Sequence, residues 1–179
     1  ASLVRALRRR GIDPSLVGVG GAGLAAEGLK SLFPQSDVNL MGFAAVIARL
    51  PLVLRRIGET ARAVAEAKPD LLLTIDSPDF TLRVAKKVRA SAPGIPIVHW
   101  VCPSVWAWRP GRARRMAPSV DRVLCLLPFE PDELRRLGGP RGVYVNHPLI
   151  ERLDELRPGT AAEAAARAET GAPEILLLP

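Results

Sequence analysis

An aspartate-rich segment follows the first long apolar run of the chain. Leu71–Ile75 is a continuous apolar run, which predicts a strand buried on both faces. Asp76, Ser77, Pro78 and Asp79 follow it. Two carboxylates three residues apart, one after a predicted strand and one at a predicted helix start, could provide a general base. In open parallel sheets, ligands bind beyond the carboxyl ends of the strands, where this segment falls. Helix capping by Ser77 or Asp79 is the alternative, and the spacing alone leaves the two interpretations even.

A second candidate site is the loop that carries all three tryptophans within nine residues. Arginine forks suit phosphate, and indole rings suit sugar rings or acyl chains. A packed loop followed by a solvated basic helix is the alternative, and composition does not decide between them. The residues concerned are Trp100, Trp106, Trp108, Arg109, Arg112, Arg114 and Arg115.

An apolar stripe with helical spacing lies further upstream, flanked by arginines. Such stripes usually pack in a core, but arginine-flanked ones also lie in membrane interfaces. The stripe comprises Met41, Phe43, Val46, Ile47, Leu50, Val53 and Leu54, with Arg49, Arg55 and Arg56 beside it.

The glycine-rich stretch GVGGAG, residues 18–23, follows a predicted short strand at Leu16–Val19. It could cradle a phosphate, but its spacing departs from the dinucleotide-binding pattern and no acidic residue closes the next strand. A flexible turn between a strand and a helix is the favoured interpretation.

The cysteines and histidines predict no metal site. Cys102 and Cys125 lie in apolar stretches and form neither a disulfide framework nor a four-ligand zinc pattern, so we expect buried free thiols. His99 and His147 are far apart and have no third ligand at a recognisable spacing.

Predicted strands alternate with predicted helices, which favours an α/β fold with a parallel, doubly wound sheet. Further strands are expected at 96–101, 121–128 and 142–148. We expect one domain over residues 1–150, then a linker and the first strand of a following domain over residues 151–179. Both ends of the chain run into predicted elements, so we expect a fragment of a longer protein.

Composition narrows the function classes. The chain has 179 residues, 48% apolar but only 4% aromatic, which indicates a folded chain with an aliphatic core. The net charge of +7 fits nucleic acid, anionic lipid or phosphate-bearing substrates alike. No apolar segment reaches the roughly 18 residues of a membrane-spanning helix.

Five stretches together resemble the lipid-A-disaccharide synthases. They are MGF (41–43), TIDSPDFTLRVAKKVR (74–89), VHWVCPSVWAWRPGRARRMA (98–117), LLPFEP (126–131) and HP (147–148). The resemblance runs in order over about residues 3–150, and PSVWAWR is its most specific part. It implies a parallel Rossmann-like sheet in the N-terminal half of a two-domain GT-B glycosyltransferase.

The resemblance also implies a reaction. Members are inverting glycosyltransferases that join UDP-2,3-diacylglucosamine to 2,3-diacylglucosamine 1-phosphate, giving lipid A disaccharide 1-phosphate and UDP. They use no organic cofactor and need no bound metal. They are peripheral on the cytoplasmic face of the inner membrane of Gram-negative bacteria.

Carried onto this sequence, the family motif makes Asp79 the candidate base, with Asp76 in support. The implied substrate-binding residues are Ser77, Ser104, Trp106, Trp108, Arg109 and Arg112. The implied membrane-docking residues are Met41, Phe43, Val46, Ile47, Leu50 and Leu54.

The sequence departs from the family pattern in several places. The usual strand and loop before the first helix are missing, Asn146 replaces a glycine, and Ala22 and Leu24 replace a proline and a methionine. Because most UDP-binding residues belong to the second domain, we expect this chain alone to be inactive. The alternatives are another UDP-sugar transferase or epimerase of the same fold and, less favoured, a basic nucleic-acid-binding module; we expect no nucleic-acid partner.

Overall fold

The computed structural model describes residues 1–38 and 49–152, with side chains described up to residue 150. It divides into two compact units, Ala1–Asn146 and His147–Pro179. The described part of the second unit is a 3-10 segment, Pro148–Arg152, in which the Leu149 N–H donates to His147 Nδ1. The sheet and the predicted chemistry belong to the first unit.

The first unit contains four parallel strands and six α-helices among the described residues. In chain order these are α1 (Ser2–Arg9), α2 (Ala22–Ala25), α3 (Leu50–Ala67), β1 (Leu72–Ile75), α4 (Pro78–Ser91), β2 (Ile97–Trp100), α5 (Gly111–Met116), β3 (Arg122–Cys125), α6 (Glu130–Arg136) and β4 (Arg141–Tyr144). The strand order is β1-β2-β3-β4, so each strand pairs with the next one along the chain. The predicted α/β fold with a parallel sheet is confirmed.

The register aligns the carboxyl ends of the strands. Ile75 pairs with Trp100, Trp100 with Leu124, and Cys125 with Tyr144. Because all four strands run in one direction, the loops that follow them emerge at one edge of the sheet. The DSPDF segment and the tryptophan loop therefore share that edge.

An aliphatic core joins helices α3 and α4 to the sheet. Helix α3 buries Ile57, Ala61 and Val64, and its Pro51 lies in the first turn, where a missing N–H costs nothing. Its neighbours in the core come from α4, the inner strands, α5 and α6. They are Val84, Ala85, Val88, Ile97, Met116, Val123 and Leu134.

One strand prediction was wrong, and so was the burial predicted for β1, a strand whose presence is confirmed. Leu16–Val19 forms no strand, only a one-residue parallel bridge between Gly18 and Ser31, and Gly18 has a φ of +147° that interrupts extended backbone. The Leu71–Ile75 strand was expected to be buried on both faces. It instead borders the described sheet, with Thr74 buried and Leu71 and Ile75 about half exposed.

Only part of the predicted apolar stripe falls on described residues. Four of its members lie outside them, namely Met41, Phe43, Val46 and Ile47. Residues 153–179, which hold most of the predicted linker and the predicted last strand, also lie outside them. Among the helices that the structure describes, none is both long and apolar enough to cross a bilayer.

Candidate active site

The DSPDF segment forms a tight turn between β1 and α4. Asp76 and Ser77 both adopt left-handed backbone conformations, with φ of +50° and +44°. The Asp76 N–H donates to the Trp100 carbonyl at 2.9 Å, which ties the turn to β2. Non-glycine residues in this conformation store strain and cluster at functional sites.

Thr81 closes this turn from the first turn of α4. Its hydroxyl lies 2.7 Å from the Asp76 carbonyl oxygen and 3.0 Å from that of Ser77, and donates to them. Ser77 occupies the N-cap position but makes no side-chain capping bond. The predicted capping role of Ser77 is therefore wrong, because the turn is held by Thr81 and by backbone bonds. Thr81 was not among the residues predicted to matter for this turn.

The turn presents Asp79 to solvent at the start of α4. Its side chain is 76% exposed, and its Oδ1 accepts a hydrogen bond from Arg112 Nη2 at 2.7 Å. The Arg112 side chain is only 16% exposed, so a largely buried arginine is paired with a largely exposed carboxylate. Two residues predicted separately, a candidate base and a candidate substrate-binding arginine, are thus brought together across 33 positions of sequence.

The tryptophan loop is anchored from within by Val105, which is 1% exposed. The Ser104 carbonyl accepts the N–H groups of Ala107 and Trp108, so the loop makes a single helical turn. Trp108 is 56% exposed, and the Arg109 guanidinium lies 4.2 Å from the centre of one of its rings. The packed-loop interpretation therefore holds for Val105, and an exposed aromatic and cationic surface remains beside it.

Trp106 turns towards the loop that follows β3. It packs edge-on against Phe129, with ring centroids 5.2 Å apart, and both rings stay more than 40% exposed. Phe129 contacts Trp106 but was not among the predicted site residues. Its position just beyond the third strand was the available signal, since all strand ends share this edge.

His99 lies beneath this edge, in the middle of β2. It is fully buried, its Nδ1 lies 2.8 Å from Thr74 Oγ1, and its Nε2 has no hydrogen-bond partner among the described residues. Burial lowers the pKa of His99 to about 4, against a smaller opposing effect of the Asp76 charge. The ring is neutral at neutral pH, as expected for a structural histidine.

The GVGGAG stretch forms a packed turn. The Gly20 N–H donates to Ser31 Oγ at 3.2 Å, and Gly21 precedes the four-residue helix α2. A Cβ at Gly20 would lie 2.7 Å from the terminal methyl groups of Leu24 and Leu29, so a larger residue would displace these leucines. These contacts favour the turn over a phosphate cradle.

A basic cavity of about 450 Å³ lies between α5 and the end of α6, and two of the candidate arginines that follow the tryptophan loop, Arg114 and Arg115, help to line it. Arg136 is held by Glu133 there, which lowers the pKa of that carboxyl. The cavity is lined by Pro110, Gly111, Arg114, Arg115, Arg136 and Leu137.

Comparisons with a family model and with known proteins agree on one family. The family model described as lipid-A-disaccharide synthetase matches residues 1–179. A lipid-A-disaccharide synthase of Nitrobacter hamburgensis is 58% identical over 181 residues, and one of Bradyrhizobium diazoefficiens is 56% identical over 180; each alignment covers 100% of this chain and 45% of the relative. A lipid-A-disaccharide synthase of Myxococcus xanthus is 42% identical over 179 residues, which is 46% of its length.

The chain spans less than half the length of these curated relatives. The family match nevertheless extends over every residue of the chain, including the DSPDF turn and the tryptophan loop. The chain therefore belongs to the lipid-A-disaccharide synthetase family.

Proposed function

We propose that this chain supplies the acceptor-side domain of an inverting glycosyltransferase. The reaction joins UDP-2,3-diacylglucosamine to 2,3-diacylglucosamine 1-phosphate and releases UDP. The observation that carries the proposal is Asp79, an exposed carboxylate at the carboxyl edge of a parallel sheet, paired with Arg112. Family membership supplies the substrate class.

Asp79 is the proposed general base. Its Oδ1 is bonded to Arg112, so Oδ2 is the oxygen left to accept the proton of the acceptor 6-hydroxyl. As that proton leaves, the hydroxyl oxygen bonds to the anomeric carbon of the donor. The bond from that carbon to the UDP oxygen breaks on the opposite face, the configuration inverts, and UDP departs with the electron pair.

The remaining candidates have supporting roles in this proposal. Asp76 and Ser77 form the turn that aims Asp79, and the loop from Ser104 to Arg109 offers rings and a cation to the acceptor. The planar guanidinium of Arg112 also has the geometry to donate hydrogen bonds to a phosphate group. These assignments rest on the shared sheet edge and on the chemistry of each side chain.

We further propose that the protein docks on the cytoplasmic face of the inner membrane. Leu50 and Leu54 lie one turn apart at the start of α3 and are 43% and 48% exposed, with Arg49 and Arg55 exposed beside them. Apolar side chains flanked by arginine suit an anionic interface. Arg56 does not join them, because Asp37 and Glu59 bind it and it stacks over Phe33.

The test is UDP release by the natural protein that contains this chain, with and without the diacylglucosamine 1-phosphate acceptor. Release that requires the acceptor, with a disaccharide 1-phosphate as product, is expected. Release without acceptor would contradict the proposal in favour of hydrolysis or an epimerase-like reaction. Absence of release from an intact, folded protein would refute the transferase assignment.

A further inference from the structure

Two thiols and one carboxylate meet inside the first unit, below the carboxyl edge of the sheet. Cys102 lies two residues beyond β2, Cys125 ends β3, and Glu130 begins α6. One potential ligand atom from each lies within 4.8 Å of the other two. All three residues are buried, with 5%, 0% and 4% of their surface exposed.

Glu130 is a buried carboxylate without a cationic partner among the residues whose side chains are described. Its Oε2 accepts the N–H groups of Leu126 at 2.9 Å and Leu127 at 3.0 Å. No arginine, lysine or histidine of the described part of the chain forms an ion pair with it. Buried charges in proteins are normally paired or coordinate a metal. Both bonds use Oε2, which leaves Oε1 for a further partner.

Both thiols have backbone carbonyl partners. Cys102 Sγ lies 3.4 Å from the Pro103 carbonyl oxygen, and Cys125 Sγ lies 3.6 Å from the Val123 carbonyl oxygen. Burial and the charge of Glu130 both disfavour the thiolate form of each cysteine. A cation placed among the three groups would reverse the effect of that charge, because it stabilises both thiolates as well as the carboxylate.

We propose that Cys102, Cys125 and Glu130 bind one zinc ion. Zinc accepts two thiolates and a carboxylate oxygen in a tetrahedral shell, whose fourth position is taken by water or a backbone carbonyl. Magnesium and calcium prefer all-oxygen shells, so the two sulfurs select a thiophilic ion. Binding releases the two thiol protons to solvent and involves no change of oxidation state.

This site is structural and separate from the proposed transfer reaction. It links the ends of β2 and β3 to the start of α6, three elements that carry the exposed Trp106 and Phe129 rings on their loops. The sequence spacing of Cys102, Cys125 and Glu130 follows no zinc-finger pattern. Parallel strand pairing creates the cluster, which is why the sequence predicted no metal site.

The direct test is zinc titration of the metal-free chain, kept reduced, against a chromophoric chelator, with Co²⁺ as a spectroscopic substitute. We expect one equivalent of zinc, thiolate-to-cobalt charge-transfer absorption, and a higher thermal unfolding midpoint with zinc. Cys102→Ser and Cys125→Ser are each expected to weaken zinc binding by about 100-fold or more. Failure of the reduced wild-type chain to bind zinc, or a cobalt spectrum without thiolate bands, would overturn the proposal.

Glu130→Gln separates ligation from loop stabilisation. The Gln carbonyl can still accept the Leu126 and Leu127 N–H groups, so the metal-free fold is expected to persist while zinc affinity falls about 10-fold. His147→Gln is the matched control outside the cluster and is expected to leave zinc affinity unchanged. Zinc bound equally well by the two serine variants, or lost in His147→Gln, would assign the metal to another place and refute the site.

Discussion

At the scale of single residues, the pairing of Asp79 with Arg112 defines the proposed chemistry. The two carboxylates of the DSPDF segment were equivalent candidates by spacing, but only one of them, Asp79, forms a described ion pair. Asp76 contributes its backbone, through the bonds to Trp100 and Thr81. The proposal therefore gives the proton transfer to Asp79 and gives Asp76 a main-chain role in shaping the turn.

His99 predicts a pH dependence of folding stability. Because its folded pKa of about 4 lies below the ordinary 6.5, the unfolded chain binds more protons between these values. Stability is therefore lost as pH falls through this window, by about 2 kcal/mol between roughly pH 7 and pH 5. Urea unfolding at the two pH values measures the loss.

His99→Gln keeps a polar group beside Thr74 but does not titrate, so it is expected to abolish most of this pH dependence. His147→Gln, the matched control, should retain it. An undiminished loss of stability in His99→Gln would show that other groups cause the pH dependence.

Site residues could be predicted from the sequence only where they belong to a local pattern. Asp76 and Asp79 follow a continuous apolar strand and precede an amphipathic helix, and that context alone marks a sheet edge. Phe129 and the cluster of Cys102, Cys125 and Glu130 depend on which strands are neighbours. No local pattern records that information, so these contacts emerged only from the fold.

At the scale of elements, the Thr81 hydroxyl supplies the side-chain bonds that support the junction of β1 and α4. Thr81→Val removes both side-chain bonds to the Asp76 and Ser77 carbonyls without changing side-chain size much. We expect a loss of about 1 kcal/mol of unfolding free energy. Thr81→Ser retains the hydroxyl and should lose less. Equal urea midpoints for wild type and Thr81→Val would show that the turn does not need these bonds.

Element boundaries followed the sequence where apolar periodicity was strong. Strands β2 and β3 lie within the predicted ranges 96–101 and 121–128, and α4 begins at Pro78, where a helix start was predicted. The strand predicted at Leu16–Val19 failed because Gly18 interrupts it and pairing is limited to one bridge. The burial of β1 was overestimated because an apolar run does not tell whether its strand lies inside the sheet or at its border.

At the scale of the whole molecule, the alternation of strands and helices was enough to predict a parallel α/β fold. The strand order β1-β2-β3-β4 was not predicted, since local patterns do not encode which strands pair. The net charge of +7 did not distinguish nucleic acid, anionic lipid and phosphate-bearing substrates as partners. Membership of the lipid-A-disaccharide synthetase family is what directs the proposed function towards lipid A precursors.

The proposed membrane docking predicts charge-dependent binding to lipid. The doubly substituted Leu50→Glu, Leu54→Glu protein should bind anionic vesicles at least about 10-fold more weakly, since it loses apolar contact and gains repulsion. Vesicle flotation at low and high salt measures this. Leu71→Glu, at a similarly exposed leucine before β1, is the control and should bind like wild type. Unchanged binding by the double variant would contradict docking through α3.

The most direct test of the central claim is the rate of acceptor-dependent UDP release by the natural protein carrying Asp79→Asn. We predict a fall of about 100-fold to 10,000-fold, because asparagine preserves the shape of the side chain but cannot take the proton. Asp132→Asn, at another exposed aspartate paired with an arginine, should keep the wild-type rate. A folded Asp79→Asn protein within about twofold of the wild-type rate would contradict the assignment of Asp79 as the base.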